Sequence, residues 1–227
     1  MSGSARLALE EIRPIRPRAV LFDWDNTLVD SWATLHEAFN KALQAMGKPL
    51  WSLAEARQRV RLSLRESFPA LFGERSQEAR RIYIEAFASI HLERLKALPG
   101  REALLTALFA KGIYLAVVSN KTGAVLRREV DALGWGRFFG SVVGAGDAAF
   151  DKPDPAPLRL ALEPSGIAAG EAVWLVGDTA VDMECARRSG CIPVLLGPPP
   201  SPAEFTEAGP SFAFAEGAAL FRFIEGL

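Results

Sequence analysis

The sequence predicts an α/β protein: a Rossmann-like, mostly parallel sheet with helices on both faces, interrupted after its first strand by an all-helical insertion. Three observations lead there. From residue 99 onward, short apolar runs alternate with segments of helical periodicity. A further apolar run, RAVLFDWD, lies at 18–25. Between them, 31–98 holds amphipathic helices and no convincing strand. Near-continuous apolarity marks strands covered on both faces, and strand–helix alternation implies parallel neighbours joined by right-handed crossovers.

Taken in order, residues 1–17 form an extension without the apolar core of a secretory signal. The first strand follows at 18–25. In the insertion, Leu35, Ala38, Phe39, Ala42, Leu43 and Met46 make one helical stripe. Ala79, Ile82, Tyr83, Ala86, Phe87 and Ile90 make another. The segments 47–49 and 68–73 (FPALFG) read as breaks between helices. Further strands are expected at 113–119 (IYLAVVS), 141–144 (SVVG), 172–177 (AVWLVG) and 192–197 (IPVLLG). A helix is expected at 124–133, where Leu126, Glu129, Val130 and Leu133 recur at helical spacing. Another should run from about 155 to 162, with prolines near its start. PPPSP at 198–202 reads as a surface loop. The core therefore comprises 18–30 and 99–227, and the insertion 31–98.

The chain has 227 residues, 49% hydrophobic and 23% charged, enough for one large core or a core with a smaller appended unit. A net charge of −1 without a basic block gives no reason to expect nucleic acid or an anionic membrane as partner. No apolar run approaches the roughly 20 residues of a membrane-spanning helix. Cys185 and Cys191 are too few for a disulfide framework and lack metal-ligand spacing. A cytoplasmic protein with reduced thiols is the expectation, as monomer or homodimer.

Four places carry residues suited to chemistry. In FDWDNTLVDS (22–31), Asp23 and Asp25 lie on one side of a strand end and Trp24 on the other. Two adjacent carboxylates require a cation or a shared proton, which suits a nucleophile beside an acid–base group. A capped turn explains the pair about as well. In VVSNK (117–121), Ser119 and Asn120 end a strand where a helix begins, a setting for phosphate, although ordinary helix caps look the same. Lys152, in DKPDP, leads into a helix and can reach the same sheet edge; most lysines are merely solvated. In LVGDTAVDM (175–183), Asp178 and Asp182 stand one helical turn apart and offer hard oxygen ligands, unless Asp178 is a helix cap. Together, all four sit where open α/β sheets place their ligands.

The order DxDxT, apolar–SN, K-P, GDxxxD resembles the haloacid dehalogenase superfamily over 18–197. FDWDNTLVDS, SNK, DKPDP and VGDTAVDMECARRSGC look most like its phosphoglycolate phosphatase type. The resemblance implies a helical cap at 31–98 and a Mg²⁺-dependent phosphatase acting on a small phosphorylated metabolite. It implies Asp23 as nucleophile and Asp25 as acid and base. Mg²⁺ would sit on Asp23, Asp178 and the main-chain carbonyl of Asp25, with Asp182 behind them. Ser119, Asn120 and Lys152 would grip the phosphoryl oxygens. A sugar-phosphate mutase of the β-phosphoglucomutase type shares these motifs, and a catalytically silent module keeping the fold is the rival from another class. Asn26 replaces the usual Gly, which its tolerance of turn conformations allows. RVRLSLRES (59–67) lacks the glycine-containing cap loop and offers Arg61 and Arg65 as candidates for leaving-group contact. His36, His91 and the tryptophans at 32, 51, 135 and 174 are expected to be structural.

Overall fold

The computed structural model describes residues 14–60, 62–198 and 209–227. Six parallel strands form one sheet: β1 (Ala19–Phe22), β2 (Tyr114–Thr122), β3 (Ser141–Ala145), β4 (Val173–Gly177), β5 (Ile192–Leu196) and β6 (Phe212–Phe214). Their order is β3-β2-β1-β4-β5-β6, so the first strand lies inside the sheet. Period-two alternation divides its side chains between two layers. Val20 and Phe22 pack with α5 (Arg101–Ala110), α6 (Gly123–Ala132) and α9 (Gly217–Glu225). Ala19 and Leu21 pack with α7 (Ala156–Leu162) and α8 (Ala180–Arg188). Every residue of β1, β4 and β5 is buried, which is why these strands read as unbroken apolar runs.

Between β1 and α5 come four helices, α1 (Trp32–Ala45), α2 (Leu53–Arg59), α3 (Leu64–Phe72) and α4 (Ser76–Ile90). They share an apolar cluster of their own. Phe39 is its hub, with ring centroids 5.4 Å from Trp51, 5.7 Å from Phe68 and 4.8 Å from Tyr83. Aromatic pairs of this kind each contribute about 0.5–1.5 kcal/mol beyond area burial. The expected break at FPALFG is wrong: 68–72 belong to α3, with Pro69 inside it, and only Gly73, at φ 56°, ends the helix. Phe68 and Phe72 lock that turn against each other, and Phe68 also meets Tyr83, which outweighs the proline's preference. The expected loop at 198–202 lies almost wholly outside the described residues, as do 1–13 of the extension.

The chain leaves and re-enters the sheet through paired linkers. Asp30 N donates to Lys96 O at 2.9 Å and Leu98 N to Leu28 O at 3.0 Å. Asn26 adopts φ 63°, the left-handed conformation expected of it, and its N–H reaches Val29 O at 2.7 Å. Cys185 and Cys191 are both free and buried. Among the described residues no helix is long and apolar enough to cross a membrane.

Candidate active site

Asp23 follows β1 directly, its N–H continuing the ladder to Val176 O at 2.8 Å. Asp178 follows β4, the neighbouring strand, and Asp182 opens α8. One oxygen from each of Asp23, Asp178 and Asp182 falls within 4.8 Å of the others. Lys152 joins them from the loop before α7: its Nζ lies 2.7 Å from Asp23 Oδ1 and 2.6 Å from Asp182 Oδ1. Asp182 is held from its other side, where Oδ2 accepts from Thr179 N at 3.1 Å and Thr179 Oγ1 at 2.7 Å. Thr179, not Asp178, is the N-cap of α8, so Asp178 is left to face the cleft, touched by Thr27 Oγ1 at 3.3 Å.

Three clustered carboxylates, Asp23 and Asp182 buried and Asp178 half-buried, have one ammonium among them, and the imbalance appears in their proton affinity. Burial, with Asp182 and Asp25 adding repulsion, raises Asp23 to about 6 against the pull of Lys152. Burial and then the charges of Asp23 and Asp182 push Asp178 well above the usual carboxylate range. Burial alone would lower Lys152, but Asp182 and Asp23 more than offset it and hold it raised and charged. An all-oxygen donor set with surplus negative charge fits a hard divalent cation such as Mg²⁺.

Asp25 also faces the cleft, but its carboxylate goes elsewhere. Lys121 Nζ lies 2.7 Å from Asp25 Oδ1 and 2.6 Å from Glu129 Oε2. Glu129, 1% exposed on α6, also accepts Trp24 Nε1 at 2.7 Å and pairs with His91 Nδ1 at 2.8 Å. His91 caps α4, so this buried network joins the acid–base candidate, the sheet layer and the helical insertion. Trp24 is thus packed, as expected, edge-on to Trp135 at 5.8 Å. His36 is likewise structural, 2.7 Å from Trp51 O.

The phosphate candidates divide. Ser119 is buried beside the cleft, its Oγ accepting from Lys121 N at 3.2 Å. The Asn120 side chain is committed to the Lys152 main chain, donating to Lys152 O at 2.9 Å and accepting from Lys152 N at 2.9 Å. It therefore fixes Lys152 instead of offering its amide to a ligand. Arg65, unlike Asn120, does not line the cleft: its Nε and Nη2 grip Asp151 at 3.0 and 2.7 Å. Arg61 lies outside the described residues. Sequence reasoning passed over Lys121, Glu129, Thr27 and Asp151. The signal for Lys121 was its place directly after Ser119 and Asn120; for Glu129 it was an acid on the buried stripe of α6.

Residues 20–195 match the model of the haloacid dehalogenase-like hydrolases. The chain is 35% identical over 192 residues to the phosphoglycolate phosphatase of Rhodospirillum rubrum, covering 79% of each chain. Among solved structures it resembles a hydrolase of that superfamily from Ehrlichia chaffeensis (TM-score 0.64, 28% identity, 93% of this chain and 98% of that one). A haloacid dehalogenase-like hydrolase from Bacteroides fragilis shares the fold at TM-score 0.81 with 22% identity, covering 89% of this chain and 99% of the other.

Proposed function

The chain belongs to the haloacid dehalogenase-like hydrolases, in their phosphoglycolate phosphatase-like group, and from that premise we propose that it hydrolyses a small phosphomonoester with Mg²⁺, through a phosphorylated Asp23. The observation that carries this reading is the cluster of Asp23, Asp178 and Asp182 with Lys152 bridging Asp23 and Asp182, and Asp25 two residues beyond the nucleophile on Lys121, which it shares with Glu129.

Lys152 holds Asp23 by one oxygen, which fixes the carboxylate so that the other can attack phosphorus in line. As the Asp23–phosphorus bond forms, the ester bond breaks and Asp25 gives a proton to the leaving alkoxide. Asp25 then takes a proton from water, which attacks phosphorus and frees Asp23 and inorganic phosphate. Lys152 and Ser119 face the phosphoryl oxygens, and Asn120 keeps Lys152 in place. Asp23 and Asp178 would hold Mg²⁺ with the main-chain carbonyl of Asp25, backed by Asp182. The ion would neutralise charge on the transferring phosphoryl group.

The test is phosphate release from a panel of phosphomonoesters with Mg²⁺ and no bisphosphate activator. Release is expected, and Asp23→Asn should lower kcat at least about a thousandfold while leaving the circular dichroism spectrum unchanged. Near-full activity in Asp23→Asn would sink the mechanism.

A further inference from the structure

The floor and roof of the catalytic cleft differ in kind. The cleft spans about 880 Å³ when the open solvent at its mouth is included. Its floor carries the carboxylates, Ser119, Lys121 and Lys152. Its roof is built by the insertion and is apolar: Leu35 and Phe39 of α1, Leu62 and Leu64 at the start of α3, Ile84 and Phe87 of α4. Among the described roof residues only Trp32 and Tyr83 bring polar atoms, and neither carries charge at neutral pH. The Tyr83 phenol is held well above its ordinary range by burial, then by Asp25 and Glu129.

The described cations nearby are already engaged. Lys152 lies between Asp23 and Asp182, and Lys121 between Asp25 and Glu129. Arg65 is turned onto Asp151, and the exposed Arg57 stacks over the Trp32 ring at 5.6 Å without lining the cleft. A leaving group bearing a carboxylate would be desolvated against Leu and Phe side chains with no described cation opposite it. A sugar would bring several hydroxyls to a roof offering two polar groups. An alkyl or arylalkyl tail would instead gain by leaving water.

We propose that the substrate is the phosphate monoester of an uncharged, largely apolar alcohol, selected by the roof side chains around Leu62 and Ile84. The inference rests on the phosphatase reading and narrows its substrate class. The test compares kcat/KM for three esters of primary alcohols, 2-phenylethyl phosphate, phosphoglycolate and a hexose 6-phosphate, with para-nitrophenyl phosphate as an activated reference. A preference for 2-phenylethyl phosphate of at least about tenfold over both others is expected, the size one or two buried apolar groups give. Equal or faster turnover of phosphoglycolate or the sugar phosphate would overturn the inference and leave the phosphatase reading standing. No phosphate from any of the four would overturn both.

A second arm moves the roof's charge. Leu62 is 44% exposed at the cleft mouth, so Leu62→Lys can fold with its ammonium reaching in. It should shift the ratio of phosphoglycolate to 2-phenylethyl phosphate at least about tenfold toward the anion. If Leu62→Lys fails to fold, Ile84→Lys on the half-buried face of α4 serves instead. A ratio unchanged within threefold in a folded variant would count against the roof as the selector.

Discussion

Glu129→Gln isolates the network behind Asp25. The native carboxylate is 1% exposed and serves Trp24 Nε1, Lys121 Nζ and His91 Nδ1 at 2.6–2.8 Å. Glutamine keeps the shape and one acceptor oxygen but removes the charge, leaving Lys121 buried with Asp25 as its one anion. Removing one partner of a buried ion pair costs about 3–5 kcal/mol. Because the amide still accepts one hydrogen bond, worth about 1 kcal/mol, the lower end, roughly 3 kcal/mol, is expected in urea denaturation. Activity should change selectively. Lys121, raised against the effect of burial by Asp25 and Glu129 together, would lose one of the two anions that place it, and with it the fixed position of the Asp25 carboxyl. An ester of a basic alkoxide needs a proton from a correctly placed Asp25, whereas para-nitrophenolate leaves without it. The variant should therefore lose about tenfold or more in kcat on an alkyl phosphate, and clearly less on para-nitrophenyl phosphate. A wild-type urea midpoint, or equal losses on both esters, would refute the reasoning.

Other perturbations follow from the same geometry. A Cβ on Gly177 would lie 2.3 Å from Asp182 Cγ and 2.4 Å from its Cβ, so Gly177→Ala should displace Asp182 from Lys152 and cut kcat/KM by at least about tenfold, measurable by phosphate release. Asp23 has its folded pKa raised to about 6 from 3.8, so its contribution to stability is present below about pH 4 and is lost as pH rises through 6. Asp178 shifts in the same direction. Mg²⁺, which needs both ionised, should raise the melting temperature more at pH 7.5 than at pH 5, with about 2.7 kcal/mol of stabilisation at a hundredfold excess over Kd; equal shifts at both pH values would contradict this. Arg65→Ala leaves the buried Asp151 with the Gly146 N–H at 3.1 Å and should cost about 1–3 kcal/mol in denaturation while shifting KM less than threefold; a large rise in KM would return Arg65 to the substrate.

The parts of this site that sequence discloses are those written locally. Asp23, Asp25 and Asp178 follow the ends of apolar strands, and Asp182 stands in the first turn of the helix after β4, so local order fixes where they emerge. The Glu129 network is written across distance: its Trp24 partner lies 105 positions away and His91 38. Glu129 shares the stripe of Leu126 and Val130, but the stripe alone does not say which distant side chains the acid meets; the returning layers supply them. Asn120 misleads for the same reason, since its amide is used by a loop 32 residues on. Pro69 was read as a break because local preference was weighed without the aromatic ring contacts that override it. The three residues of β6 are too few to show an alternation.

The paired linkers give the molecule an unusual editorial layout. Everything that shapes the roof is spelled in one uninterrupted stretch of the gene, between residues whose main chains meet at Asp30 N–Lys96 O and Leu98 N–Leu28 O. The catalytic carboxylates are spelled outside it, just past the ends of β1 and β4 and in the first turn of α8, with a strand register that depends on neither linker. A foreign roof spliced at that seam would need to close the same two hydrogen bonds and return groups to meet Glu129 and Asp151. Recombination could thus exchange what the protein selects without rewriting how it breaks the bond.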